Sequence, residues 1–297
     1  MASSETPEYT FTSSGEAIEI RASTVLPADR RNIELRTADG LTLVGEYAAP
    51  AGGRSPKATL VTLHPLPTHG GFMDSHVYRK ASFRLPALAD IAVLRFNTRG
   101  TCSPRGCSEG AFDGGDGERL DLQAAVEWAV AEGLHDIWLV GWSFGTELCL
   151  KYGAQDPVAE LIEGAILLSP PLHRAGDADL DAWGASGLPL KVLVPEFDDY
   201  LVPEDAAARF ARVPQADVTG IDGAKHLWVG EKYAARALDE IVAVVRPEVA
   251  VPLPTRWTGP AAVASSIASA DTNVRINLSR GGPRRASGSN VGATIEL

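Results

Sequence analysis

Short apolar runs alternate with amphipathic stretches along most of the chain. Ala58–Leu63, Ile91–Phe96, Ile137–Val140, Ala165–Leu168 and Leu190–Val194 contain few polar interruptions, the pattern of strands buried on both faces of a parallel sheet. Asp217–Ile221 is a more mixed run of the same length class. Between these lie predicted helices over Ser75–Ala89, Glu118–Ala131, Phe144–Gly153, Glu204–Arg212 and Lys232–Val245. In Glu118–Ala131 apolar residues recur at 122, 125, 126 and 129, one face of a helix, and Pro247 stops the last helix. Two β-favouring runs, Asn32–Thr37 and Leu41–Ala48, flank Ala38-Asp39-Gly40 and predict a hairpin. The alternation predicts an α/β fold with a mostly parallel central sheet and helices on both faces.

The pattern fails at both ends. Residues 1–31 are polar and without sustained period, and are expected to be an irregular leader. Residues 247–297 are rich in Pro, Ser, Gly, Ala and Arg, and are expected to be a disordered tail. Charge divides at the same place. The 297 residues carry a net charge of −11. The tail holds five arginines and three acids, a net of +2, which leaves −13 on the first 246 residues. Domain organisation is therefore expected as leader 1–31, catalytic domain 32–246 and tail 247–297.

Acidity argues against a sequence-independent grip on nucleic acid or anionic lipid. No run reaches the ~18 apolar residues of a membrane span, and the N-terminus lacks the basic flank and apolar stretch of a secretory signal. Three cysteines, Cys102, Cys107 and Cys149, are too few for a disulfide framework, so Cys102 and Cys107 are expected to be free loop thiols and the compartment cytoplasmic.

The pattern G-x-S-x-G occurs twice, as Gly106-Cys-Ser108-Glu-Gly110 and Gly141-Trp-Ser143-Phe-Gly145. A serine nucleophile needs a sharp strand-to-helix turn that lifts its hydroxyl clear of the sheet and leaves the next N–H at a helix N-terminus. Ser143 follows a predicted strand and precedes a predicted helix, whereas Ser108 lies in a glycine-rich loop with no strand before it. Ser143 is the nucleophile candidate. Its hydroxyl needs an imidazole to take its proton and a carboxylate to fix that imidazole. His226 lies just after the last predicted strand, at the sheet edge where the Ser143 turn also opens; His135 precedes a strand and falls at the opposite edge. The acid is expected after the strand ending near Val194, where Asp198 is favoured and Asp199 is the alternative. Ser143, Asp198, His226 is the chain order of an α/β-hydrolase triad.

At these residues the chain resembles the α/β-hydrolase superfamily, and more narrowly the dienelactone-hydrolase-like predicted bacterial serine hydrolases. The matching stretches are Leu63-His-Pro-Leu-Pro67 with Gly70-Gly71-Phe-Met73, Arg95-Phe-Asn-Thr-Arg-Gly100, Gly141-Trp-Ser-Phe-Gly145, Ser169-Pro-Pro171 and Gly223-Ala-Lys-His226. The resemblance implies an oxyanion hole from the backbone N–H groups of Phe144 and Leu66, with His64 shaping the loop rather than performing chemistry. The sequence departs from that family at Pro195, where a glycine is common, and in carrying Ser143 where dienelactone hydrolases proper carry cysteine.

The spacing of His64, His69 and His76 fits no metal-ligand pattern, and no G-x-G-x-x-G follows a strand, so neither metal nor cofactor is expected. Only 19 residues, 171–189, separate two inner strands, which predicts a minimal cap and an open cleft bordered by Leu172, Trp183 and Trp228. The expected function is a serine hydrolase of a small carboxylic ester or thioester, acting through an acyl-enzyme. An acyltransferase or peptidase with the same triad, or a non-catalytic hydrolase fold, are the alternatives; the oligomeric state is not read from the sequence.

Overall fold

The computed structural model describes residues 9–13 and 15–264. Its core is an eight-stranded sheet. The strands in chain order are β1 (Ala28–Arg36), β2 (Thr42–Pro50), β3 (Ala58–Leu63), β4 (Ile91–Phe96), β5 (Ile137–Trp142), β6 (Gly164–Leu168), β7 (Leu190–Phe197) and β8 (Ala216–Lys225). Their spatial order is β1-β2-β4-β3-β5-β6-β7-β8. β1, β2 and β4 pair antiparallel, and every pair from β4 onwards is parallel. Six helices accompany them: α1 (His76–Ala89), α2 (Glu118–Ala131), α3 (Phe144–Tyr152), α4 (Asp177–Ser186), α5 (Pro203–Phe210) and α6 (Glu231–Val245).

The apolar runs form the inner strands because alternate side chains enter different cores. Val61 and Leu63 of β3 join one cluster with residues of α2, α3, α4 and α5, while Ala58 and Leu60 join another with α1 and α6. A strand with helices on both faces needs apolar residues at every position, and its period-2 signal disappears. Connections between parallel strands then bring the loops after β3, β5, β6, β7 and β8 to one edge of the sheet.

Three expectations are corrected. First, the ends are not separate from the body over the described residues. Ile18–Glu19 pairs with Arg256–Trp257, Thr24–Val25 pairs with Ala262–Val263, and Thr12 pairs with Ala261. Ile20, Leu26 and Ala261 are buried together against Ala87 and Leu88 of α1. Leader and early tail thus strap α1 from outside; residues 1–8 and 265–297 lie outside the described residues. Second, Cys102 and Cys107 are joined in a disulfide that closes a small hairpin of Cys102–Ser103 and Gly106–Cys107. That removes the cysteine argument for a reducing compartment. Among the described residues no helix is long and apolar enough to cross a membrane. Third, Trp183 and Trp228 do not border a cleft. Both are fully buried, with the Trp183 indole donating to the Cys149 and Leu150 carbonyls and that of Trp228 to Ser169 Oγ.

Candidate active site

Ser143 stands between β5 and α3 with φ +53° and ψ −114°, a conformation in which L-residues are strained. What holds it there is the close approach of its neighbours. A Cβ on Gly145 would lie 1.9 Å from the Leu63 carbonyl oxygen, so only glycine lets the N-terminus of α3 sit directly on the end of β3. This contact also brings the loop after β3 beside the Phe144 N–H, which is free at the first turn of the helix.

His226 leaves the end of β8, and its Nε2 lies 2.8 Å from Ser143 Oγ. Its Nδ1 lies 3.0 and 2.9 Å from the two oxygens of Asp198. A carboxylate only accepts, so Nδ1 carries the proton and Nε2 is left to accept from the serine hydroxyl. Asp198 and His226 are buried while Ser143 is partly exposed. Asp199 points outward, and among the described residues no bond from it reaches His226. The β7–β8 pairing is irregular between Pro195 and Phe197, where β8 carries the extra residues, between Ile221 and Lys225, and the Asp198 N–H turns back to the Pro195 carbonyl. A bulge re-aims the residues after it, and this one lies directly before His226.

The base loop is fixed from the nucleophile side. The Trp142 indole and the Ser169 hydroxyl both donate to the His226 carbonyl at 3.1 Å. Trp142 immediately precedes Ser143, so the serine turn and the histidine loop are tied by one side chain.

The loop after β3 carries the second implied N–H, that of Leu66. A Cβ on Gly71 would lie 2.0 Å from the Pro65 carbonyl oxygen, so the Gly70-Gly71 turn lies against Pro65-Leu66. His64 is buried beneath it. The Thr98 N–H donates to His64 Nε2, and Nδ1–H donates to the Pro65 carbonyl at 2.7 Å. Burial pushes the His64 pKa down to about 4, partly offset by the Pro65 carbonyl. The Arg95-Phe-Asn-Thr-Arg stretch supports the same loop. Asn97 Oδ1 accepts the Met73 N–H at 2.9 Å, and Arg95 pairs with Asp74 at 2.6 Å and with Glu46. Burial alone would raise the Glu46 pKa, but Arg95 and Arg105 hold it down to about 2.

The remaining sequence candidates fall elsewhere. The Ser108 hydroxyl donates to the Asn97 carbonyl and accepts the Val44 N–H, so the second G-x-S-x-G serine is a structural tie. His76 is engaged with the Leu227 carbonyl and His135 is exposed beside Asp136. Among the described residues no three His, Cys, Asp or Glu side chains could hold a metal. A cavity of about 630 Å³ lies between α6, α1 and Pro252–Thr255, and none of Ser143, Asp198 and His226 lines it.

Two residues of the site gave no sequence signal as such. The Tyr200 ring packs edge-on against His226 at 4.7 Å and against His173 at 5.1 Å, and its N–H donates to Asp198 Oδ1. Glu147 is fully buried on α3 and accepts the N–H groups of His173, Arg174 and Ala175. An acid amid the apolar Phe144–Leu150 stretch was its only trace.

A profile of the alpha/beta hydrolase fold family matches residues 68–234, more than half of the chain. The chain belongs to that family. This hydrolase-fold protein is similar to a serine hydrolase without lid from Xanthomonas campestris, at 26% identity and a TM-score of 0.58, over 77% of this chain and 98% of the other. A serine hydrolase homologue from Coxiella burnetii shares the fold at 23% identity and a TM-score of 0.56, over 74% and 97%. The Pyrococcus furiosus esterase does so at 19% and 0.59, over 73% and 91%. An uncharacterized Rickettsia prowazekii protein is 27% identical over 62% of this chain and 76% of its own length.

Proposed function

We propose that this hydrolase-fold protein cleaves a carboxylic ester or thioester through Ser143, His226 and Asp198. The observation that carries the reading is the 2.8 Å contact of Ser143 Oγ with an imidazole whose other nitrogen faces both oxygens of a buried carboxylate. In the proposed reaction Oγ attacks the carbonyl carbon as Nε2 takes the hydroxyl proton. Asp198 stabilises the imidazolium and keeps its Nε2 edge toward the serine. The Phe144 and Leu66 N–H groups would receive the carbonyl oxygen as it gains charge, a contribution on the order of 3 kcal/mol per donor in comparable sites. The Nε2 proton passes to the departing oxygen or sulfur, and water returns the acyl group from Ser143. A ten-residue α4 as the main element between β6 and β7, packed by Trp183 onto α3, supports an open site that water can enter.

The test is labelling by a fluorophosphonate together with turnover of p-nitrophenyl esters. Wild type should be labelled at Ser143, and Ser143→Ala should lose labelling and at least about 10⁴-fold in kcat/KM. A folded wild type that neither labels nor turns over any ester in the panel would overturn the reading.

A further inference from the structure

Exposed apolar side chains gather where the acid and base loops meet. Phe197 ends the acid strand, Tyr200 and Val202 follow it, Leu227 and Val229 follow His226, and together they are five of the nine large hydrophobic residues exposed among the described residues. Exposed large apolar side chains beside a candidate site mark contact with a ligand more often than chance exposure does.

Its position relative to the chemistry says which part of a ligand. The carbonyl oxygen must face the Phe144 and Leu66 N–H groups, and the departing atom must lie within hydrogen-bond reach of His226 Nε2 to receive its proton. The groups bordering His226 on its open side therefore meet the leaving group. Those groups are Tyr200, 55% exposed with its ring against the imidazole, and Leu227, 54% exposed and next in the chain.

The wall is also fixed in place. Tyr200 is tied by its N–H to Asp198. His173 packs edge-on against the same Tyr200 ring, on a loop whose three successive N–H groups enter the buried Glu147 carboxylate. A fixed π-surface gives up little entropy on binding and offers edge-to-face contact to a second ring.

We propose that Tyr200 and Leu227, buttressed by His173, form a leaving-group subsite selecting esters of primary alcohols that carry an aromatic ring over esters of short, hydrated alcohols. This rests on the Ser143–His226 reading of the site. In the acylation step the ester C–O bond breaks as the Nε2 proton moves to the alcohol oxygen, and the aromatic alcohol leaves from the Tyr200 wall.

Ethyl acetate and 2-phenylethyl acetate share an acyl group and a primary alkoxide of similar leaving ability, so their kcat/KM ratio isolates the wall. Wild type should prefer the phenylethyl ester by about 10-fold or more. Tyr200→Ala should bring the ratio to within about threefold of unity, and Leu227→Ser should lower it in the same direction; the second variant carries the comparison if the first does not fold. Wild type that labels at Ser143 yet hydrolyses both esters equally overturns the subsite and leaves the hydrolase reading standing. So does Tyr200→Ala that keeps the full preference. Absence of labelling and of turnover with either ester overturns both.

Discussion

His64 is a histidine beside the candidate site whose hydrogen bonds hold the loop after β3. Its imidazole accepts one N–H and donates to one carbonyl, so it can do both only while neutral. Its pKa of about 4 in the folded protein lies below the ordinary 6.5. Between those values the unfolded chain binds the proton and the folded one does not, so stability is complete above pH 6.5 and falls as the pH drops toward 4. The shift corresponds to about 3 kcal/mol. Denaturant titrations across that window should therefore give a flatter pH dependence for His64→Gln than for wild type, by up to about that amount. That Ser143, Asp198 and His226 come together was legible because each follows a strand and their chain order is informative. Tyr200 was not, because stacking on a histidine 26 positions away leaves no pattern in the chain. The choice between Asp198 and Asp199 also needed three dimensions: adjacent side chains point to different sides, and the fold buries Asp198 against His226 while Asp199 is exposed.

At the scale of elements, α3 does two things at its N-terminal end. Its first N–H groups face the site, and one turn later Glu147 anchors the loop after β6. Three N–H groups on one buried carboxylate form a charge-assisted set that is costly to break. Glu147→Ala leaves those donors unpaired and should cost about 3 kcal/mol or more, measured by urea unfolding, while Glu147→Gln keeps one acceptor oxygen and should cost less. The inner strands were readable as continuous apolar runs, since helices cover both faces. α4 was not: only Leu180 and Trp183 of its ten residues are buried, too few to mark a helical face. The pairs of the strap are two residues long, and two residues carry no period at all.

Across the whole molecule, the sequence divides at Pro247 in charge and composition, but the fold does not. The strap of 16–26 and 256–264 closes over α1, burying Val25 and Ala262 with Phe83, and so joins material from both ends of the described chain to the same helix. Thr12 bridges Ala261 antiparallel, and Tyr9 and Ala264 both pack against that same cluster. Topologically, then, the described protein is nearly a ring, and the position of its break is a matter of convenience. The exposed turn at Gly52-Gly53, where both glycines have positive φ and open space around them, is an equally suitable place to cut. A circular permutant running from Gly53 to Ala264, through a short Gly-Ser linker, and from Tyr9 to Gly52 should fold to the same sheet. Its ester turnover should stay within about threefold of wild type and its melting temperature within about 5 °C, and a permutant that fails to fold would mean that the break itself carries information.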